Sequence, residues 1–293
     1  MQDDFLLTNL ELRDSTETGE EAAGLSHSSM KGMFLLQVLE LAAYGEPRGA
    51  VTVVHDAGDH GGRYREFAGQ LAQQALAVAL PDMRGHGGSE GERGHSAGLK
   101  EVVRDLNEVQ NHLAYRLPDA PKVLVGQGLG ALYCAVYALE SPGNVSGLVL
   151  LSPLHDPSFD LPQPAGGLKK FFKKVGPTSP GTTGYSGDKL TSDATEASAW
   201  NSDALSHDTI TLRAGNQATE AAACLQRLGE LGVPVLILHG ADDSISSAAK
   251  SEALAGGQVT VEVRPGERHD LLHDSGRAEV CARVAEWVAS IVS

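Results

Sequence analysis

Val123-Leu124-Val125-Gly126-Gln127-Gly128-Leu129-Gly130-Ala131-Leu132 decides the fold. Three apolar residues read as a buried strand, the glycines as a sharp turn, and the apolar run from Leu129 as the start of a helix. Strand, tight turn and helix in that order make a nucleophile elbow, G-x-S-x-G, with a serine at the tip of a strained turn. Here the tip is Gly128, which has no side chain with which to attack.

Outward from this turn, residues 51–54, 76–80, 122–125, 145–151, 233–238 and 259–263 read as strands. They are short and mostly apolar on both faces, as parallel strands covered by helices must be. Between them, Leu99, Val102, Val103, Leu106, Val109 and Leu113 share one helical face, and Val280, Val284, Trp287 and Ile291 share another. The alternation predicts an α/β chain with a mostly parallel, doubly wound sheet and its ligands beyond the carboxyl ends of the strands. Residues from about 153 to 223 break the rhythm: they are rich in Pro, Gly, Ser and Thr and show no convincing strand. So long an interruption predicts an inserted cap, or lid. The organisation expected is an acidic, partly mobile N-terminal segment (1–30), a core (31–153 and 224–293) and a cap (154–223).

With 293 residues and 41% apolar content the chain can bury one large core. Its 23 basic residues against 38 acidic ones give a net charge of −15, which argues against nucleic acid as a partner, because phosphate binding needs clustered cations. Cys134, Cys224 and Cys281 show neither C-x-x-C nor metal-ligand spacing, and their odd, sparse count suits a reducing compartment; no metal and no cofactor is expected. Met1-Gln2-Asp3-Asp4 is acidic where a signal peptide is basic, and the longest apolar run, 129–139, is too short to cross a bilayer. A cytoplasmic location is the expectation.

Chemistry-bearing residues gather at the predicted strand ends. His55-Asp56-Ala57-Gly58-Asp59-His60 follows the first strand, where a backbone N–H of Ala57 and that of Leu129 can form an oxyanion hole; the plain alternative is a strand-to-helix turn. Asp82 and His86, in Pro81-Asp82-Met83-Arg84-Gly85-His86-Gly87-Gly88-Ser89, read as braces of a tight loop rather than as catalysts. Asp242 and Asp243 follow a late strand, and His269 and His273 follow the last. Nucleophile, acid and histidine thus occur in the order of one known triad arrangement.

These motifs together resemble the α/β-hydrolases of the monoacylglycerol lipase and serine aminopeptidase S33 type. His55 to Tyr64 is similar to that family's H-G-x-G-E-H-x-x-R-Y, Asp82 to Gly91 to its D-x-R-G-H-G-x-S-x-G, Gly126 to Gly130 to its G-H-S-M-G elbow, and Pro234 to Asp243 to its P-V-L-x-x-H-G-x-x-D. The segment Leu190-Thr191-Ser192-Asp193 through Trp200 to Leu205 looks like the family's cap, and the likeness runs from residue 33 to the end. The resemblance implies an α/β-hydrolase fold, prefers Asp243 to Asp242 as the acid, and prefers His269 to His273 as the base.

Three departures accompany it: Gly128 for the serine, Gln127 for the neighbouring histidine, and Asp56 for the oxyanion-loop glycine. The first removes the covalent mechanism, a loss of about 10⁶ in turnover in a serine protease. It also relieves a strained turn that costs a side chain about 1–3 kcal/mol. Asp56 would repel negative charge developing beside it. The cap stretch Gly167-Leu168-Lys169-Lys170-Phe171-Phe172-Lys173-Lys174-Val175 puts Phe171 and Phe172 on one helical face among lysines, suited to lining an acyl pocket or to a weak membrane-surface contact.

The expectation is therefore a non-catalytic or nearly non-catalytic protein that binds a small apolar or lipid-like ligand under the cap. Asp56, Gln127, Phe171 and Phe172 would line the site, Asp243 and His269 would be paired but idle, and no atom would fill the place of the missing hydroxyl. Three alternatives keep some chemistry: ester hydrolysis by a water that His269 and Asp243 activate, an active esterase deprived of its serine, or a non-hydrolytic reaction using Asp56 as acid or base. A protein-interaction module built on the acidic segment or the cap surface is a different class with no positive feature behind it.

Overall fold

The computed structural model describes residues 5–13, 33–163 and 175–293. Two antiparallel strands open the chain, β1 (Leu6–Arg13) and β2 (Met33–Leu41). They are followed by β3 (Gly49–Val54), α1 (Arg65–Gln73), β4 (Leu76–Pro81), α2 (Leu99–Arg116), β5 (Lys122–Gln127), α3 (Leu129–Glu140) and β6 (Gly147–Leu151). An insertion comes next, with β7 (Pro180–Thr182), α4 (Gly187–Leu190), α5 (Ala194–Ser202), β8 (Thr209–Thr211), α6 (Leu212–Ala222) and a 3₁₀ segment, Ala223–Glu230. The chain ends with β9 (Val235–Gly240), α7 (Ala248–Glu252), β10 (Val259–Arg264) and α8 (Arg277–Ile291).

Eight strands form one sheet in the order β1-β2-β4-β3-β5-β6-β9-β10, parallel from β4 to β10. The central strands β3, β5, β6 and β9 are almost wholly buried because helices cover both faces. On one face Val102 and Leu106 of α2 pack with Leu132 and Val136 of α3; on the other Phe67 and Leu71 of α1 pack with Val280, Val284 and Val288 of α8. This is the doubly wound α/β sheet, in the α/β-hydrolase arrangement.

Two features differ from the sequence reading. Leu6–Arg13, read as part of an acidic tail, is the edge strand of the sheet: Leu12 buries itself while Leu6 and Leu7 stay exposed. The insertion holds a two-stranded ladder, β7 with β8, whose three-residue strands are too short to leave a periodic pattern. Phe171 and Phe172, with most of the basic stretch around them, lie outside the described residues. No helix among the described residues is long and apolar enough to cross a membrane.

Candidate functional site

The strand ends bring the motifs together. Gly128 joins β5 to α3 at φ +52°, a left-handed geometry that favours glycine. Close approach fixes its neighbours: a Cβ on Gly126 would strike the first turn of α3, and one on Gly130 would strike the carbonyls of Val54 and His55. The turn thus presents the backbone N–H of Leu129 toward the end of β3.

That N–H is already engaged. Asp56, two residues past β3, folds its carboxylate into the turn, and Oδ1 accepts from the N–H groups of Leu129 (2.7 Å) and Ala57 (2.7 Å). The two donors expected to form an oxyanion hole both hold one carboxylate oxygen. Oδ2 lies 3.0 Å from His269 Nε2. A Cβ built on Gly128 would collide with this carboxylate. The expectation that no atom stands in front of residue 128 is therefore corrected: the Asp56 carboxylate does, and can do so because glycine leaves the room. Its role is not simple repulsion beside the hole, because its own oxygen occupies the hole.

Behind His269 stands a second carboxylate. His269 Nδ1 is 2.7 Å from Asp243 Oδ2, and His239 Nε2 reaches the same oxygen at 3.0 Å. Asp243 Oδ1 accepts from the N–H groups of Ile245 (2.7 Å) and Ser246 (3.1 Å). Burial raises Asp243, but His269, His239 and these N–H groups outweigh it, so its carboxyl is held well below the usual range. Burial likewise would lower His269; Asp243 first and Asp56 second overcome it and push the imidazole up to about 10. Burial also pushes Asp56 up, opposed by His269 and the N–H groups of Leu129 and Ala57. Three donors converging on the Asp56 carboxylate favour its ionised form, so near neutral pH the site is carboxylate, imidazolium, carboxylate. An imidazolium between two anions has no lone pair with which to act as a base.

Among the other expected residues, Asp242 is exposed. His273 pairs with Asp270 (2.9 Å) and the Arg63 carbonyl (3.0 Å). Gln127 donates from Nε2 to the His269 carbonyl (2.7 Å), so its amide fixes the histidine loop instead of facing a ligand. Asp82 braces its loop through the N–H groups of Gly61 and Gly88, each at 2.7 Å, and His86 Nδ1 bonds the Arg84 carbonyl. Sequence reasoning missed two residues. His239 stands in the quoted strand-end motif and could have been found there; Tyr185 lies in the insertion, where local signals are weak.

The insertion sits directly over this relay. Tyr185, Leu190 and Trp200 close over Asp56, and the Tyr185 ring lies 5.8 Å from that of His269. The Leu190 carbonyl accepts from the Asp270 N–H (2.8 Å), and the Gly58 carbonyl accepts from the His207 N–H (2.8 Å). Together these groups leave no space for even a water above Asp56. A neighbouring cavity lined by Ala57, Met83, Leu129, Tyr133 and Ile210 has a volume of about 10 Å³, enough for one water. The small apolar or lipid-like ligand expected beneath the cap therefore finds no ready-made cavity directly above Asp56. No cluster of His, Cys, Asp and Glu among them could hold a metal ion.

Comparison with known proteins agrees with this architecture. The signature of the serine aminopeptidase S33 family matches residues 45–276. Monoacylglycerol lipase of Mycolicibacterium smegmatis is 27% identical over 257 residues, 84% of this chain and 89% of that protein. Monoglyceride lipase of Rattus norvegicus is 33% identical over 208 residues, 69% of this chain and 67% of that protein. The crystal structure of the Paleococcus ferrophilus monoacylglycerol lipase superposes with a TM-score of 0.76 at 25% identity, covering 87% of this chain and 99% of that one.

Proposed function

The chain belongs to the serine aminopeptidase S33 family of monoacylglycerol-lipase-like α/β-hydrolases, and on that premise we propose that it performs no serine-type ester hydrolysis. Gly128 stands where the family's elbow motif carries its serine. The observation that supports this reading is the Asp56 carboxylate, which holds the Leu129 and Ala57 N–H groups and faces His269. An ester carbonyl entering this site meets an oxyanion hole already filled by an anion, and finds no hydroxyl to attack it. The reading extends to a small apolar molecule that would enter, once the insertion yields, at the place roofed by Tyr185, Leu190 and Trp200.

Ester hydrolysis by a water activated at His269 has two obstacles: the imidazole is already protonated, and no water fits beside it. A formerly active esterase lacking only its serine is disfavoured by Asp56, which a restored side chain at position 128 would strike. The test is turnover of p-nitrophenyl butyrate by purified protein. The rate expected is that of buffer and heat-killed protein; activity that tracks the protein through purification refutes the reading.

A further inference from the structure

The carboxylate that fills the elbow has the surroundings of a nucleophile. Oδ1 is bound by two backbone N–H groups, the polarising arrangement that stabilises an oxyanion when a carboxyl carbon is attacked. Oδ2 points to an imidazole whose far nitrogen is held by a second carboxylate. The insertion adds a fourth group: the Tyr185 hydroxyl is buried, has no hydrogen-bond partner among the described residues, and belongs to the ring that roofs Asp56. A buried hydroxyl without a partner is destabilising, and a ligand oxygen placed here would satisfy it.

We propose that Asp56 is a nucleophile, supplied from the end of β3 instead of from the elbow, and that its substrate is a small apolar epoxide. This deepens the preceding reading and rests on it, because Asp56 reaches the position only where residue 128 has no side chain. The substrate class follows from the chemistry. Attack by a carboxylate on an ester would give an anhydride, whereas attack on a saturated electrophilic carbon gives a stable ester. An oxygen leaving group matches the Tyr185 hydroxyl and the His269 Nε2–H; Leu190 and Trp200 call for an apolar body.

In the first step the Asp56 Oδ2 lone pair bonds to the less hindered ring carbon. The ring C–O bond breaks, and its oxygen takes the proton from His269 Nε2 while Tyr185 donates a hydrogen bond to it. The products are a hydroxyalkyl ester of Asp56 and a neutral His269. In the second step, with the insertion displaced by the bound substrate so that a water can enter, the now neutral His269 Nε2 takes a proton from that water as the hydroxide adds to Asp56 Cγ, placing negative charge on Oδ1 between the N–H groups of Ala57 and Leu129. The ester C–O bond then breaks at Cγ, and the departing alkoxide takes the proton of the new Asp56 carboxylic acid. Diol, carboxylate and imidazolium result, and epoxide plus water balances.

The experiment uses styrene oxide. In oxygen-18 water, a single turnover of the wild-type protein is expected to place the label in the Asp56 carboxylate, read by peptide mass spectrometry. His269→Gln is expected to accumulate an adduct of one epoxide per chain, mapped to Asp56, because deacylation lacks its base. Asp56→Asn is expected to lose diol formation by about 10²-fold or more while keeping a cooperative melt. Absence of both label and adduct at Asp56, or an adduct mapped to another residue, overturns the proposal, even if Asp56→Asn fails to fold. Turnover of p-nitrophenyl butyrate is measured in parallel: it bears on serine-type hydrolysis alone, so the two readings fail separately.

Discussion

A side chain at residue 128 and the carboxylate at residue 56 compete for one volume: a Cβ on Gly128 would fall on Asp56 Oδ1. The pair is 72 positions apart in sequence and meets only because β3 and β5 are parallel neighbours, with Val54 paired to Gly126. Glycine at one position and aspartate at the other thus form one structural feature, and neither residue is intelligible alone.

Coupling between the two positions follows. Gly128→Ser alone introduces both a left-handed serine and a collision, so it is expected to lose about 2–4 kcal/mol of stability and to gain no esterase activity. Asp56→Gly alone strips the partner from two N–H groups and from His269. The double variant is expected to be more stable than the sum of the two losses allows, with a coupling energy of about 1–3 kcal/mol. Urea melts of the four proteins measure it; strict additivity would show that the contact does not govern stability.

Stability should fall as pH rises through the alkaline range. His269 titrates near 6.5 when unfolded and is pushed up to about 10 when folded. Its contribution is therefore complete below about pH 6.5 and is lost progressively toward pH 10, because the folded state binds the proton more tightly. Asp56→Asn removes one of the two anions beside the ring, so its melting temperature should decline less between pH 7 and 10. Parallel pH slopes for wild type and variant would remove Asp56 from the account.

How much of this was readable beforehand depended on distance along the chain. The elbow was legible because Gly126, Gly128 and Gly130 lie within five residues of one another, although only the close approach at Gly126 is local in sequence. Asp243 and His269 were legible as strand-end residues, and the order of the strands brings them together at 2.7 Å. Asp56 was visible as a departure, but not as an occupant: where its carboxylate lands depends on an absent Cβ across the sheet. β1 stayed hidden because an exposed edge strand carries little apolar periodicity, and Tyr185 because the elements around it in the insertion are only three to nine residues long.

Gln127 offers a smaller test. Its Nε2–H donates to the His269 carbonyl across 2.7 Å in a buried setting. Gln127→Met keeps the volume and removes the donor, so a loss of about 1–3 kcal/mol is expected from the orphaned carbonyl. The urea midpoint reads this; no change would mean that the histidine loop is held elsewhere.

Asp274 ties the insertion to that same loop. Its Oδ1 accepts from the N–H groups of Ser192 (2.9 Å) and Ser275 (2.7 Å) and from the Thr191 hydroxyl (3.2 Å), and Oδ2 accepts from the N–H of Arg268 (2.6 Å), next to His269. The residue is fully buried, so Asp274→Ala leaves several donors unsatisfied at once and should cost about 2–4 kcal/mol. Because Thr191 and Ser192 precede α5, the loss should loosen the insertion before it loosens the sheet. Limited proteolysis is expected to cut Asp274→Ala within residues 183–211 well before wild type, at a temperature where both keep their full helical signal. Equal cleavage rates would show that other contacts, such as His60 with Asp203 at 2.8 Å, suffice to hold the insertion down.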